Sequence, residues 1–365
     1  MRFSINQSEL LNALTIVSKG TSGRSTLPVL SGVYIETVGN GLILQTTDLE
    51  RSIRYSVNAL IEESGRTVIP EKLLFDIVKN LPDAAVSFET NDSEITLVCG
   101  KSSFTLRTLD ADDFPAFPQV DVMQSVTIPF GDFSSMIKRV AKVVSKDQTR
   151  AVLTGVLITT TDSGIKMVAT DSYRLAVAEV DVENVPQDFE VIVSGAFMQE
   201  VASLPKIDEI ITMGITENQI VFTYQNMVLI NRRIEGNFPN YKQLIPDSYA
   251  TKTCFTTQEL ITAVKRVSII NNMSSPVKFD INADTRNTVI DSVSQDVGMA
   301  QETLGCEVLG ESMQIAFNHQ YIIDGLSSIT TEQVFLETQS AMKPGIFKAA
   351  DGQKFLYLVM PVRIA

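Results

Sequence analysis

The chain has 365 residues, 44% of them hydrophobic and 20% charged, and a formal charge of −13. That length exceeds one ordinary core and points to two or three domains, while no run approaches the eighteen or so uninterrupted apolar residues of a membrane helix. The acidic balance argues against strong nonspecific binding to nucleic acid, so any DNA contact has to be local. Residues 1–7, Met-Arg-Phe-Ser-Ile-Asn-Gln, lack the apolar core and cleavage site of a secretory signal and already read as an alternating strand, which points to the cytoplasm. Cys99, Cys254 and Cys306 have no paired spacing, so neither a disulfide framework nor a zinc site is indicated, and all three are expected to be buried fillers.

Taken in chain order, the elements repeat. A helix over 8–19 places Leu10, Leu11, Leu14 and Val17 on one stripe, alternating strands cover 33–35 and 42–45, and a second helix over 70–81 is opened by Pro70 and stopped by Pro82. The copy ends at Asp113-Phe114-Pro115. A helix over 132–146, with Met136, Val140 and Val143 inward, is followed by strands over 156–160 and 219–224 around a helix over 195–204 that Pro205 stops, and then by Asn237-Phe238-Pro239-Asn240-Tyr241. The third copy has a helix over 256–270 with a Thr256–Glu259 capping box and Leu260, Ile261, Val264 and Val267 inward. It continues with a helix over 318–329, a strand over 334–337 and the ending Tyr357-Leu358-Val359-Met360-Pro361. The period is roughly 125 residues, with a second helix about sixty residues after each first one. The expected domains are 1–122, 123–249 and 250–365, each an α+β unit of two helices packed on antiparallel sheet.

Catalytic signals are weak. His319 is the one histidine and reads as a polar helix-end group. The segment Gly20–Thr26 follows a helix and lacks phosphate-loop spacing, Ser135–Lys138 fits S-x-x-K without companion motifs, and Asp110, Asp112 and Asp113 read as a solvated link rather than a metal site. Thr47-Asp48-Leu49-Glu50-Arg51 recurs as Thr170-Asp171-Ser172-Tyr173-Arg174, which points first to a strand-end turn with an ion pair. In the helix over 132–146, Lys138, Arg139, Lys142 and Lys146 lie opposite the apolar stripe. Lys265 and Arg266 are a weaker counterpart, and Lys19 and Arg24 flank the end of the first helix. Such a face is either solvated or in contact with phosphates without base readout.

Over its whole length the chain resembles the bacterial DNA sliding clamp family, the β subunit of DNA polymerase III. The residues that carry the resemblance are Thr26-Leu27-Pro28-Val29-Leu30, Thr47-Asp48-Leu49-Glu50, Ala169–Ala176, Gly236–Tyr241 and Val359–Ile364. The resemblance implies three tandem DNA-clamp (processivity fold) domains forming half of a closed ring. A head-to-tail homodimer would encircle duplex DNA and tether the replicative polymerase catalytic subunit. It implies a non-catalytic accessory subunit with no cofactor, metal or membrane. The further partners are the clamp loader and other polymerases and repair factors that carry clamp-binding peptides, and the location is cytoplasmic, associated with the nucleoid.

Carried over by position, the peptide pocket comprises Leu153, Thr170, Ser172, Tyr173, Arg174, Leu175, Pro239, Gln243, Leu244, Pro344, Val359, Met360, Pro361, Val362 and Arg363. Ser172, Tyr173 and Gln243 occupy positions that vary in the family. The expected DNA-contacting set would be Lys19, Arg24, Lys138, Arg139, Lys142, Lys146, Gln148, Arg150, Lys265 and Arg266. The ring joint would set Lys72, Lys101, Phe104 and Leu106 of one chain against Ile269, Ile270 and Glu302 of the next, with Ser103 where a basic residue can occur. Two other readings are a hydrolase using Asp171, Arg174 and His319, and a repeat scaffold without a DNA role.

Overall fold

The computed structural model describes residues 1–21, 27–183, 185–186, 189–205, 209–270 and 276–363. The first copy contains β1 (Arg2–Asn6), α1 (Gln7–Val17), β2 (Gly32–Val38), β3 (Gly41–Thr47), β4 (Arg51–Asn58), β5 (Leu60–Glu63), β6 (Arg66–Pro70), α2 (Glu71–Asn80), β7 (Ala85–Asn91), β8 (Glu94–Cys99) and β9 (Ser102–Arg107). The second contains β10 (Gln124–Pro129), α3 (Phe130–Val140), β11 (Gly155–Thr160), β12 (Gly164–Thr170), β13 (Arg174–Asp181), β14 (Glu190–Ser194), α4 (Gly195–Ala202), β15 (Ile210–Ile215), β16 (Gln219–Tyr224) and β17 (Met227–Arg232). The third contains β18 (Thr251–Thr256), α5 (Thr257–Val267), β19 (Pro276–Asn282), β20 (Asn287–Ser294), β21 (Gly298–Gly305), β22 (Glu307–Gly310), β23 (Met313–Asn318), α6 (His319–Leu326), β24 (Gln333–Thr338), β25 (Gly345–Ala349) and β26 (Phe355–Val359).

Packing divides the chain into two compact units. The first, Met1–Gly131 with Leu204–Arg233, holds a five-stranded sheet in the order β5-β1-β7-β8-β9 and an eight-stranded sheet β10-β15-β16-β17-β4-β3-β2-β6. The second, Asp132–Ser203 with Ile234–Ala365, holds a nine-stranded sheet β14-β11-β12-β13-β26-β25-β24-β18-β22 and a four-stranded sheet β21-β20-β19-β23. The reason is pairing across copies. In the first unit β17 runs antiparallel to β4, with Leu229 opposite Ile53 and Asn231 opposite Arg51; in the second, β26 runs antiparallel to β13, with Tyr357 opposite Ala176 and Val359 opposite Arg174. Each joint takes the fourth strand of one copy and the last strand of the next, so the second copy contributes strands to both units.

The helices form where the stripes were expected. Leu10, Ala13, Leu14 and Val17 of α1 are buried against α2, β3 and β4, and each leucine contributes roughly 2 kcal/mol by leaving water. At the N-terminus of α1, Gln7 Nε2 donates to the Val78 carbonyl near the end of α2 (2.7 Å). All three first helices end earlier than expected and tighten into 3-10 turns at Ser18–Gly20, Ala141–Val143 and Ser268–Ile270. At Gly20 the cause is close approach: a Cβ there would lie 2.4 Å from Thr46 Oγ1, which donates to the Val17 carbonyl. At α3 the run leaves helical geometry at Val144, so Lys146 lies beyond the helix.

The expected capping box does not form. Thr256 is the last residue of β18 and its side chain makes no cap bond, and the Thr257 amide still donates across to the Glu332 carbonyl (2.8 Å). The cap appears instead on α6, where Asn318 Oδ1 accepts from the amides of Gln320 (2.9 Å) and Tyr321 (3.3 Å). Of the cysteines only Cys99 is buried; Cys254 and Cys306 are half-buried, and burial raises both thiols above their ordinary range.

Candidate partner site and basic face

The repeated Thr-Asp-x-x-Arg segment builds the same turn twice. In the first unit Asp48 Oδ1 accepts from the amides of Glu50 (3.1 Å) and Arg51 (2.8 Å), Oδ2 accepts from Arg51 Nε (2.7 Å), and Thr47 Oγ1 donates to the Arg51 carbonyl (2.8 Å). In the second, Asp171 Oδ1 accepts from Tyr173 (2.9 Å) and Arg174 (3.0 Å), Oδ2 accepts from Arg174 Nε (3.0 Å), and Thr170 Oγ1 donates to the Arg174 carbonyl (2.7 Å). The turn needs a left-handed residue at its third position, and Leu49 (φ 75°) and Ser172 (φ 79°) supply it. The neighbouring strand extends both: the Glu50 carbonyl accepts from the Arg232 amide (2.9 Å), and the Tyr173 carbonyl from the Met360 amide (2.8 Å).

The second copy of the turn carries more. The Arg174 side chain is only 10% exposed, and beyond Asp171 its Nη1 donates to Asp324 Oδ2 (2.5 Å) and to the Tyr357 hydroxyl (3.4 Å). Its Nη2 reaches the Lys142 carbonyl at 3.5 Å, and its guanidinium lies 4.5 Å from the centre of the Tyr321 ring. Tyr173, 60% exposed, stacks on that ring at 6.3 Å. Burial works against the Arg174 charge, yet Tyr357, Asp324 and Asp171 outweigh it and hold the guanidinium above its ordinary pKa. Burial pushes the Tyr357 hydroxyl up strongly, and it donates to the Tyr321 carbonyl (2.8 Å).

Successive side chains of β13 face opposite sides of the sheet, so Leu175 turns away from Arg174 into an apolar cluster. Leu175, Leu358, Ile346 and Tyr241 are buried in one cluster against half-buried Met360, Phe238 and Ile245. Thr170, Leu153 and Val359 are buried too, whereas Ser172, Pro239, Gln243, Leu244, Val362 and Arg363 are exposed and Pro344 and Pro361 are half-buried. All of the expected pocket residues belong to the second unit, and of them Leu175 and Met360 share one apolar cluster. Pro344 and Ile346 also border a cavity of about 340 Å³ with Pro246, Tyr249 and Lys348. An exposed rim over an apolar floor suits a short extended peptide. Tyr321, Asp324 and Tyr357 were missed from sequence; they lie 147 to 183 residues from Arg174 in sequence, and the turn motif does not point to them.

The basic residues divide by what they touch. Lys138, Lys146 and Gln148 are exposed, as is Lys265 on α5. Arg139 is half-buried, 5.8 Å from the Phe355 ring, and burial lowers its pKa. Lys142 is half-buried, donates from Nζ to Ser327 Oγ (2.9 Å), and is lowered by burial despite the opposing pull of Asp324. Its side chain does not continue the exposed face expected of it, because the α-helix ends at Val140 and residue 142 lies in a 3-10 turn that breaks helical spacing. Arg150 bonds Asp147 Oδ2 (3.3 Å) and Ser172 Oγ (2.9 Å), Arg266 is paired with Glu302, Lys19 is half-buried, and Arg24 lies outside the described residues.

The residues expected at a joint also have definite places. In the first unit, Phe104 (38% exposed) and buried Leu106 sit on β9, an end strand of its sheet, with Lys101 in the adjoining turn and Lys72 exposed on α2. In the second unit, Glu302 is on β21, also an end strand, and Ile269, 80% exposed, and Ile270 follow α5. Arg266 holds the Glu302 carboxyl below its ordinary range. For the catalytic reading, Asp171 and Arg174 are spent on a turn, His319 Nδ1 is buried without a hydrogen-bond partner, and no cluster of metal-ligating side chains occurs among the described residues. No helix among those residues is long and apolar enough to cross a membrane.

Comparison with known proteins gives a consistent result. Residues 1–118, 127–240 and 242–363 match the models of the DNA polymerase III beta subunit N-terminal, central and C-terminal domains. The beta sliding clamp of Synechocystis sp. is 32% identical over 389 aligned residues, covering all of both chains. Two crystal structures align over the whole of both chains at 28% identity and a TM-score of 0.95: the DNA polymerase sliding clamp of Bacillus subtilis, and a sliding clamp of Pseudomonas aeruginosa bound to griselimycin.

Proposed function

The chain belongs to the DNA polymerase III β-subunit family and is a non-catalytic replication processivity factor made of three clamp domains, and from that premise we propose that two copies close head to tail around duplex DNA. The domains run 1–122, 123–249 and 250–365. Partner peptides dock on the apolar surface between Arg174 and Met360, and Lys138, Lys146, Gln148 and Lys265 make sequence-blind phosphate contacts. The replicative polymerase, the clamp loader and repair factors share that pocket, and griselimycin binds in it. The protein works in the cytoplasm at the nucleoid.

One observation carries the ring. Fourth strands pair with last strands at β4–β17 and β13–β26, which leaves β21 of the third copy and β9 of the first as end strands. Joining β21 of one protomer to β9 of its partner merges four and five strands into a nine-stranded sheet like that of the second unit. The repeat also supports one register for that joint. Phe104 takes the place of Leu229 and Tyr357, and Ala300 that of Ile53 and Ala176, so Ala300 faces Phe104, Gln301 faces Ser103 and Glu302 faces Ser102. The test is a cysteine pair. Under oxidation, Ser103→Cys combined with Gln301→Cys yields covalent dimers and neither single variant does; equal yields from singles and pair contradict the register.

A further inference from the structure

Four hydrogen bonds occupy the Arg174 guanidinium inside the chain, to Asp171, Asp324, Tyr357 and the Lys142 carbonyl, which leaves little of its five-donor fork for a ligand. Asp324 ties this arrangement together. Its Oδ2 accepts from Arg174, its Oδ1 from Gln320 Nε2 (2.8 Å), and its carbonyl from Ser327 Oγ (2.9 Å). That same Ser327 hydroxyl accepts from Lys142 Nζ (2.9 Å). Two cations, Arg174 and Lys142, are thus balanced by two anions, Asp171 and Asp324; the Arg174 and Asp171 side chains are withdrawn from water, while Lys142 and Asp324 are half-buried. Removing one member leaves an uncompensated charge in a poorly solvated place, which the neighbours relieve by moving. What would move is the guanidinium against Tyr321, and with it the ring on which Tyr173 stacks.

We propose that Asp324 and Lys142 are positioning residues of the partner pocket: they complete a neutral charge cluster that locks Arg174 against Tyr321 and so fixes the aromatic wall a docked peptide lies on. The inference rests on the pocket reading above. It assigns Lys142 to that wall and removes it from the phosphate-contacting set. It also defines the partner chemistry on this side of the pocket. With its donors committed, Arg174 presents no open fork to a carboxylate, so the wall selects apolar and aromatic peptide side chains rather than acidic ones.

The test uses the full chain and fluorescein-labelled griselimycin as probe, read by fluorescence anisotropy, with thermal midpoints measured alongside. Asp324→Asn weakens the probe about tenfold, Asp324→Glu restores affinity to within about threefold, and Lys142→Met weakens it about threefold. The Asp324→Asn/Lys142→Met double variant loses less than the product of the singles, because both act through one cluster. Retention of Lys142→Met on nicked circular DNA follows the wild-type salt dependence, whereas Lys138→Ala departs from it. Met360→Ala, in the pocket floor, separates the two levels of the reading. If Met360→Ala loses the probe while Asp324→Asn and Lys142→Met keep wild-type affinity, the positioning role is wrong and the pocket stands. If Met360→Ala also keeps wild-type affinity, the pocket itself is wrong. Should Asp324→Asn not fold, Lys142→Met decides: unchanged probe affinity with DNA retention as weak as that of Lys138→Ala overturns the assignment.

Discussion

Arg51 and Arg174 close chemically identical turns, yet their surroundings set different consequences for losing them. The Arg51 side chain is 27% exposed, whereas Arg174 is enclosed by two carboxylates and two tyrosines. Breaking a buried pair costs about 3 kcal/mol or more and an exposed one about 1 kcal/mol or less, so Arg174→Ala lowers the urea midpoint well below that of Arg51→Ala. Arg174→Lys does not rescue it, because an ammonium cannot span Asp171, Asp324 and Tyr357. A smaller effect is expected at Glu302. Its carboxyl is held low by Arg266, so the stability it adds is present above the ordinary carboxylate pKa and is lost as pH falls from about 5 through the folded value. Glu302→Gln flattens that limb of an acid-unfolding titration.

Elements were readable from sequence where one period governed a segment. The six helices and the alternating strands follow from residues three or four apart, or two apart, and they occur close to where expected. The ends were not readable, because tertiary contacts decide them: Thr46 against Gly20, and the Glu332 carbonyl against Thr257. The orientation of Lys142 was lost for the same reason, since a 3-10 turn breaks helical spacing. The candidate site was half readable. Thr170 to Leu175 repeats a visible motif, but Asp324 and Tyr357 join Arg174 from 150 and 183 residues away. Helix α6 depends on such a contact at Gly325, where a Cβ would lie 2.1 Å from the Tyr357 ring. An Ala normally stabilises a helix over Gly by up to about 1 kcal/mol, yet Gly325→Ala destabilises the chain and weakens probe binding, since Tyr357 supports the Tyr321 carbonyl. A raised melting temperature with unchanged binding would contradict that role.

For the whole molecule, the proposed ring reconciles a net charge of −13 with retention on DNA, because a topological link does not need strong attraction between protein and phosphates. On that proposal weak phosphate contacts allow sliding, and ring closure rather than affinity is expected to set the residence time. Phe104 sits at the proposed joint, and Phe104→Asp places a charge where an apolar side chain is expected to be covered. That variant is expected to elute as a monomer by size-exclusion chromatography with light scattering and to keep its griselimycin affinity, because the proposed pocket lies within one chain. The most direct measurement of the central claim is retention on nicked circular DNA after loading, before and after a single linearising cut. The account predicts co-elution with the circle and release once the DNA has ends; equal retention on circular and linear DNA, or none on either, would contradict it.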